Sequence, residues 1–113
     1  MNSTPKQRQE RVSELLRELA ATFLSRESNR TSLITVTGCS VSANLSRATI
    51  LFTVLPEDKE QDAAEFVTRQ MGALRDYVKD RTRLRVLPYF DAAIDRGEKM
   101  RQKIDAIPKN TIE

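Results

Sequence analysis

The sequence predicts an α+β domain, with one amphipathic helix, two strands, a second helical stretch and a final strand-like run in that order. Two observations carry this reading. Apolar residues recur at three- and four-residue spacing after Pro5 and again after Asp58, the period of a helix with one buried face. Between and beyond those stretches lie runs rich in Thr, Ile, Val and Leu whose side chains alternate, the period of a strand.

The first helix opens at Thr4-Pro5-Lys6-Gln7. Thr4 is placed to cap it, Pro5 suits a first helical position where an N–H has no partner anyway, and Gln7 completes a capping box. Val12, Leu15, Leu16, Leu19, Ala20 and Phe23 fall on one stripe with Leu24 at its margin, while Arg8, Arg11, Glu14, Arg17 and Glu18 occupy the remaining surface. Such a stripe packs on a sheet. A membrane surface is the other use of an amphipathic helix, but the interleaved glutamates would be repelled by anionic lipid.

Ser32 to Ser42 and Arg47 to Leu55 read as strands, and Ala43-Asn44-Leu45-Ser46-Arg47 as the turn entering the second, so the two should pair antiparallel. Ala48, Ile50, Phe52 and Val54 point to the core, and Thr49, Leu51 and Thr53 to the other face. In the first strand Ile34 and Val36 share a face, yet Val41 falls out of phase after Gly38-Cys39, which predicts a bulge there.

Pro56 ends the second strand, and Asp58 with Gln61 three residues on reads as a helix cap. Ala63, Phe66, Val67, Met71, Leu74, Tyr77 and Val78 then recur at helical spacing with Gly72 among them. Glycine there costs about 1 kcal/mol relative to alanine, so it is expected to mark a kink where two helices meet. From Leu84 to Phe90 the pattern returns to a strand, with Arg83 and Arg85 on one face and Leu84 and Val86 on the other. Asp95-Arg96-Gly97-Glu98 resembles a further cap, leading into a short helix with Met100, Ile104 and Ile107 on one side and a stop at Pro108. The chain is expected to be one domain over residues 1–113, its core about 8–91 and its C-terminal helix and tail 95–113.

Composition excludes more than it selects. The single Cys39 and the absence of histidine remove an internal disulfide, a thiolate–imidazole pair and nearly every zinc site, and Cys39 in a strand reads as a small buried residue. Asp91 and Asp95 read as a turn and a helix cap, and Asp58, Asp62 and Glu65 as helix N-terminal charges, so no pair of carboxylates suggests acid–base work. No cofactor, metal or small-molecule substrate is expected. The polar start of the chain and the lack of a long apolar run point to a cytoplasmic protein with no membrane association.

Nineteen Lys and Arg against sixteen Asp and Glu leave a net charge of only +3, so the distribution has to make any electrostatic case. It does segregate. Residues 67–85 carry Arg69, Arg75, Lys79, Arg81, Arg83 and Arg85 against Asp76 and Asp80, whereas residues 56–66 carry Glu57, Asp58, Glu60, Asp62 and Glu65 against Lys59. A basic block of this kind is what an RNA-phosphate footprint requires.

Arg11-Val12 with the helix after it, Ile34-Thr35-Val36-Thr37-Gly38, Val41-Ser42-Ala43-Asn44-Leu45-Ser46-Arg47-Ala48-Thr49-Ile50 and Leu84-Arg85-Val86-Leu87-Pro88 resemble, in order and spacing, the ribosome-binding factor A family. The resemblance covers roughly residues 8–107, and the passage Ser-x-x-Leu-x-x-Ala followed by an alternating strand is its most specific part. It implies a type II KH-like fold, helix–strand–strand–helix–kink–helix–strand, with a short C-terminal helix. RNA-clamping KH domains carry a GXXG loop between paired helices; here the position reads Gln70-Met71-Gly72-Ala73, and the resembled family has an Ala-x-Gly kink instead, so Gly72 is kept while Gln70 stands for the usual alanine. Asp91-Ala92-Ala93-Ile94-Asp95 likewise departs from the family's usual Asp-x-Ser passage.

The resemblance further implies a non-enzymatic assembly factor, a monomer off the ribosome, that binds the immature small ribosomal subunit and its rRNA and assists rRNA maturation. On that reading the RNA-facing surface combines Arg75, Lys79, Arg81, Arg83 and Arg85 with Arg8 and Arg11 of the first helix. A protein-interaction module whose arginines grip an acidic protein partner, with no direct RNA contact, is the alternative. Salt distinguishes them, since phosphate contacts release counterions and give a steep logarithmic fall in affinity.

Overall fold

The computed structural model describes residues 5–27 and 33–100. Helix α1 spans Pro5–Glu27, strand β1 Leu33–Val41, strand β2 Arg47–Leu55, a 3-10 turn Glu57–Lys59, helix α2 Glu60–Arg81 and strand β3 Tyr89–Ile94. Residues 96–100 are helical. The Thr4 cap, Ile104, Ile107, the stop at Pro108 and the rest of the tail lie outside the described residues.

The sheet has the order β1-β2-β3, with β2 antiparallel to β1 and parallel to β3. A parallel neighbour needs a crossover long enough to return to the same end of the sheet, and α2 supplies it. Both helices bury their apolar stripes on one sheet face. Ala48, Ile50, Phe52 and Val54 of β2 share a single buried cluster with Val12, Leu16, Ala20, Phe23 and Leu24 of α1 and Ala63, Val67, Met71, Leu74 and Val78 of α2. Phe90, Ala92 and Ile94 of β3 sit in register with Ala48, Ile50 and Phe52 and extend this face. The stripe on α1 is shifted slightly from the one expected: Leu24 is buried and Leu15 is 36% exposed.

The bulge expected near Gly38 is present. Register runs Val36↔Phe52 and then Gly38↔Leu51, so Thr37 is the inserted residue and Cys39 and Val41 regain the core face opposite Ile50 and Ala48. The hydroxyl of Thr37 then donates to Oδ2 of Asp95 at 2.6 Å. Asp95 also performs the capping role read from sequence, its Oδ1 accepting the N–H of Glu98 at 3.0 Å. Lys99 Nζ lies 3.2 Å from Glu57 Oε1 and 3.0 Å from Glu60 Oε2, tying this last turn to the start of α2.

Four expectations are corrected. The kink at Gly72 does not divide the helix: α2 is one element from Glu60 to Arg81. An isolated glycine costs only about 1 kcal/mol, less than keeping Val67, Met71, Leu74 and Val78 on one buried stripe returns at about 1.5–3 kcal/mol per side chain. Asp58 does not cap that helix; it lies in the 3-10 turn, and α2 begins after Lys59 with no side-chain cap bond. The third strand is Tyr89–Ile94, not Leu84–Phe90, because Pro88 has no N–H to give to a ladder and pairing starts immediately after it. Asp91 is therefore within β3 opposite Thr49, not in a turn.

Gly72 is exposed, and a Cβ built on it would meet nothing within 4 Å. No turn or close approach inside the chain requires glycine there. Gly72→Ala should raise stability by about 0.5–1 kcal/mol through helix propensity, read as an upward shift in the thermal midpoint. A fall in the midpoint would show that the backbone at this position needs glycine.

Candidate nucleic-acid interface

Three local structures build the site. The first is the β1–β2 turn, where Asn44 Oδ1 accepts the hydroxyls of Ser42 and Ser46 at 2.8 and 2.7 Å and the N–H of Ser46 at 3.2 Å. Ser42 Oγ accepts the N–H of Arg47 at 3.0 Å, and the Ser42 carbonyl that of Leu45 at 2.9 Å. This network holds Leu45 at φ 62°, a left-handed conformation that costs a leucine roughly 1–2 kcal/mol and that single polar or glycine residues usually supply. The side chain thus placed is half-buried against the core cluster.

The second is the start of α1. Gln9 Nε2 donates to the Val41 carbonyl, pinning the first turns of the helix to the end of β1 and setting Arg8 beside the turn. The third is the 82–88 connection. Both the N–H and the hydroxyl of Thr82 donate to the Val78 carbonyl, at 3.0 and 2.9 Å, and end α2. At the far end Arg75 reaches over from α2, donating from Nε to the Pro88 carbonyl at 3.1 Å and from Nη2 to that of Leu87 at 3.3 Å. Its guanidinium also lies 4.3 Å from the centre of the Tyr89 ring, and Tyr89 N–H donates to the Ser46 carbonyl at 3.0 Å.

These three segments enclose a cleft of about 380 Å³ lined by Arg8, Val12, Leu45, Arg83, Leu84, Arg85 and Val86. The floor is apolar and the guanidiniums come from α1 and from the 82–88 connection. Of the arginines expected from sequence, Arg8, Arg83 and Arg85 are thus brought together. None of these three has a hydrogen-bond or ion-pair partner among the described residues. Lys79 is exposed on α2 and Arg11 on α1, neither lining the cleft.

The remaining two expected residues have internal work. Arg75 holds the 82–88 connection, and Arg81 lies 3.7 Å over the centre of the Tyr77 ring. Arg83 and Arg85 converge on the cleft as loop residues, not as one face of a strand. Sequence reasoning missed Leu45 and the apolar floor, Arg47, whose Nε lies 3.5 Å from Asp91 Oδ2, and Tyr89. The turn chemistry around Asn44 was the available signal for Leu45; a tyrosine after a proline carries none.

Burial pushes the Cys39 thiol up to about 12, so it is protonated and unreactive at neutral pH, as expected of a packed cysteine. The described residues hold no group of His, Cys, Asp and Glu able to bind a metal ion. No described helix is long and apolar enough to cross a membrane.

Fold and site together define a KH-like α+β domain in which a continuous helix stands where a GXXG loop would interrupt one, and in which the basic cleft lies between the first helix, a hairpin turn and the last connection. The chain belongs to the ribosome-binding factor A family, whose model matches residues 8–108. It is 30% identical over 112 residues to ribosome-binding factor A of Syntrophobacter fumaroxidans, covering 91% of this chain and 96% of that protein. Against the Coxiella burnetii protein of the same name the identity is 29% over 100 residues, 83% and 84% of the two chains. Among solved structures, ribosome-binding factor A of Thermus thermophilus superposes with a TM-score of 0.70 at 20% identity, over 78% of this chain and 97% of that one. A homology model of the Thermus thermophilus factor fitted into a cryo-EM map of its 30S complex gives a TM-score of 0.64 at 21% identity, over 74% and 91%.

Proposed function

We propose that this protein binds the immature small ribosomal subunit through its rRNA and assists rRNA maturation by binding alone, with no catalysed reaction. The observation that carries the reading is the convergence of Arg8, Arg83 and Arg85, all without internal partners among the described residues, around one cleft. Guanidiniums presented this way match phosphate oxygens in charge and fork geometry. Family membership supplies the ribosome, and the Thermus thermophilus factor fitted into a map of a 30S complex supplies the small subunit. Exposed Lys79 and Arg11 extend the field around the cleft, whereas Arg75 acts by holding the connection that carries Arg83 and Arg85. The protein works in the cytoplasm and is a monomer when off the ribosome.

Sedimentation of the purified protein with small subunits tests this. Co-sedimentation that is lost on RNase treatment and falls steeply with salt is the expected result. Binding that survives RNase and shows little salt dependence would overturn the rRNA reading in favour of an acidic protein partner.

A further inference from the structure

We propose that Tyr89 is a stacking platform for an unpaired base, so that the cleft takes single-stranded RNA and not a duplex; this rests on the phosphate-binding reading of the cleft and names the form of RNA. At 69% exposure Tyr89 is the most exposed large apolar side chain among the described residues. Its placement is nevertheless fixed. The backbone N–H is bonded to Ser46, next to cleft residue Leu45, and one ring face is covered by the Arg75 guanidinium, itself held by the Leu87 and Pro88 carbonyls. Tyr77 offers a contrast: its ring meets Phe23 at 5.2 Å between centres and Arg81 at 3.7 Å, so it has little surface left for a ligand.

A guanidinium on one ring face polarises and orients an aromatic whose remaining surface is in water, the arrangement that favours stacking of a nucleobase. Arg47 lies in register with Tyr89, and Arg83 and Arg85 line the cleft on the connection that leads directly into Tyr89, so a strand whose phosphates sit on the arginines can lay a base on the tyrosine at the end of that connection. In a duplex the bases are already stacked on one another and present only edges and backbone.

The chain has no Trp and only two Tyr, so its emission reports the site directly. In a Tyr77→Phe background, titration with single-stranded oligoadenylate should quench the emission of Tyr89, and an RNA duplex should not. By anisotropy of a labelled oligoadenylate, Tyr89→Leu should bind about 5- to 100-fold more weakly, while Tyr89→Phe, which keeps the ring, stays near wild type. Wild-type binding by Tyr89→Leu together with weakened binding by the Arg83→Ala, Arg85→Ala variant would overturn the platform and leave the phosphate cleft standing. Wild-type binding by both would overturn the cleft and the platform with it.

Discussion

An Arg83→Ala, Arg85→Ala double variant is expected to bind immature small subunits about 10- to 100-fold more weakly than wild type at low salt, with an unchanged melting temperature. Both side chains are exposed and neither has an internal partner among the described residues, so removing them breaks nothing in the fold. Each arginine that no longer meets a phosphate should lower the slope of log affinity against log salt by about one, so the two together flatten it by about two. The weakening is therefore greatest at low ionic strength, and the curves of variant and wild type converge as salt rises. Equal affinity and equal slope would remove both residues from the interface. The Arg75→Ala variant makes a useful partner measurement, since removing its bonds to the Leu87 and Pro88 carbonyls should disturb the fold as well as binding.

Phe52→Ala should destabilise the fold by about 3–5 kcal/mol, because it removes the largest fully buried side chain and leaves a cavity where the two helices and the sheet meet. Phe52 is 1% exposed on the central strand, paired with Val36 of β1 on one side and Ile94 of β3 on the other. All three strands frame the hole, so none can collapse into it without breaking register. For a domain of this size each kcal/mol corresponds to about 4–8 °C, which puts the expected fall in the thermal midpoint above about 10 °C. A destabilisation below about 1 kcal/mol in a cooperative melt would show that the core is not centred on β2.

Phase along the chain made most of the fold legible. The boundaries of β2, the antiparallel hairpin, the bulge near Gly38 and the Asp95 cap follow from period, turn chemistry and local hydrogen-bonding capacity, and each is found where it was read. What misled was the weighing of local signals against distant ones. Gly72 is a helix-weakening residue by propensity, but the buried stripe on either side of it keeps the helix whole, and that stripe is worth more than one glycine costs. Leu84 and Val86 alternate like a strand, yet hydrogen bonding to β2 starts only past Pro88, so alternation without an available ladder produced a loop.

The candidate site was legible in composition and not in arrangement. The sequence by itself determined that the basic charge gathers in residues 67–85, that Arg8 opens the first helix, and that the chain has one cysteine and no histidine. Only the tertiary structure decided which of the expected arginines bond within the described residues and which line the cleft. Arg75 was absorbed by carbonyls 12 and 13 residues further along, Arg81 by the Tyr77 ring one turn back on the same helix, while Arg8, Arg83 and Arg85 met across segments about 75 residues apart. Charge is a property of a residue and can be counted along a chain. Whether that charge faces a partner depends on which carbonyls, rings and carboxylates the fold brings within hydrogen-bonding reach, and those distances are set by packing between elements remote in sequence.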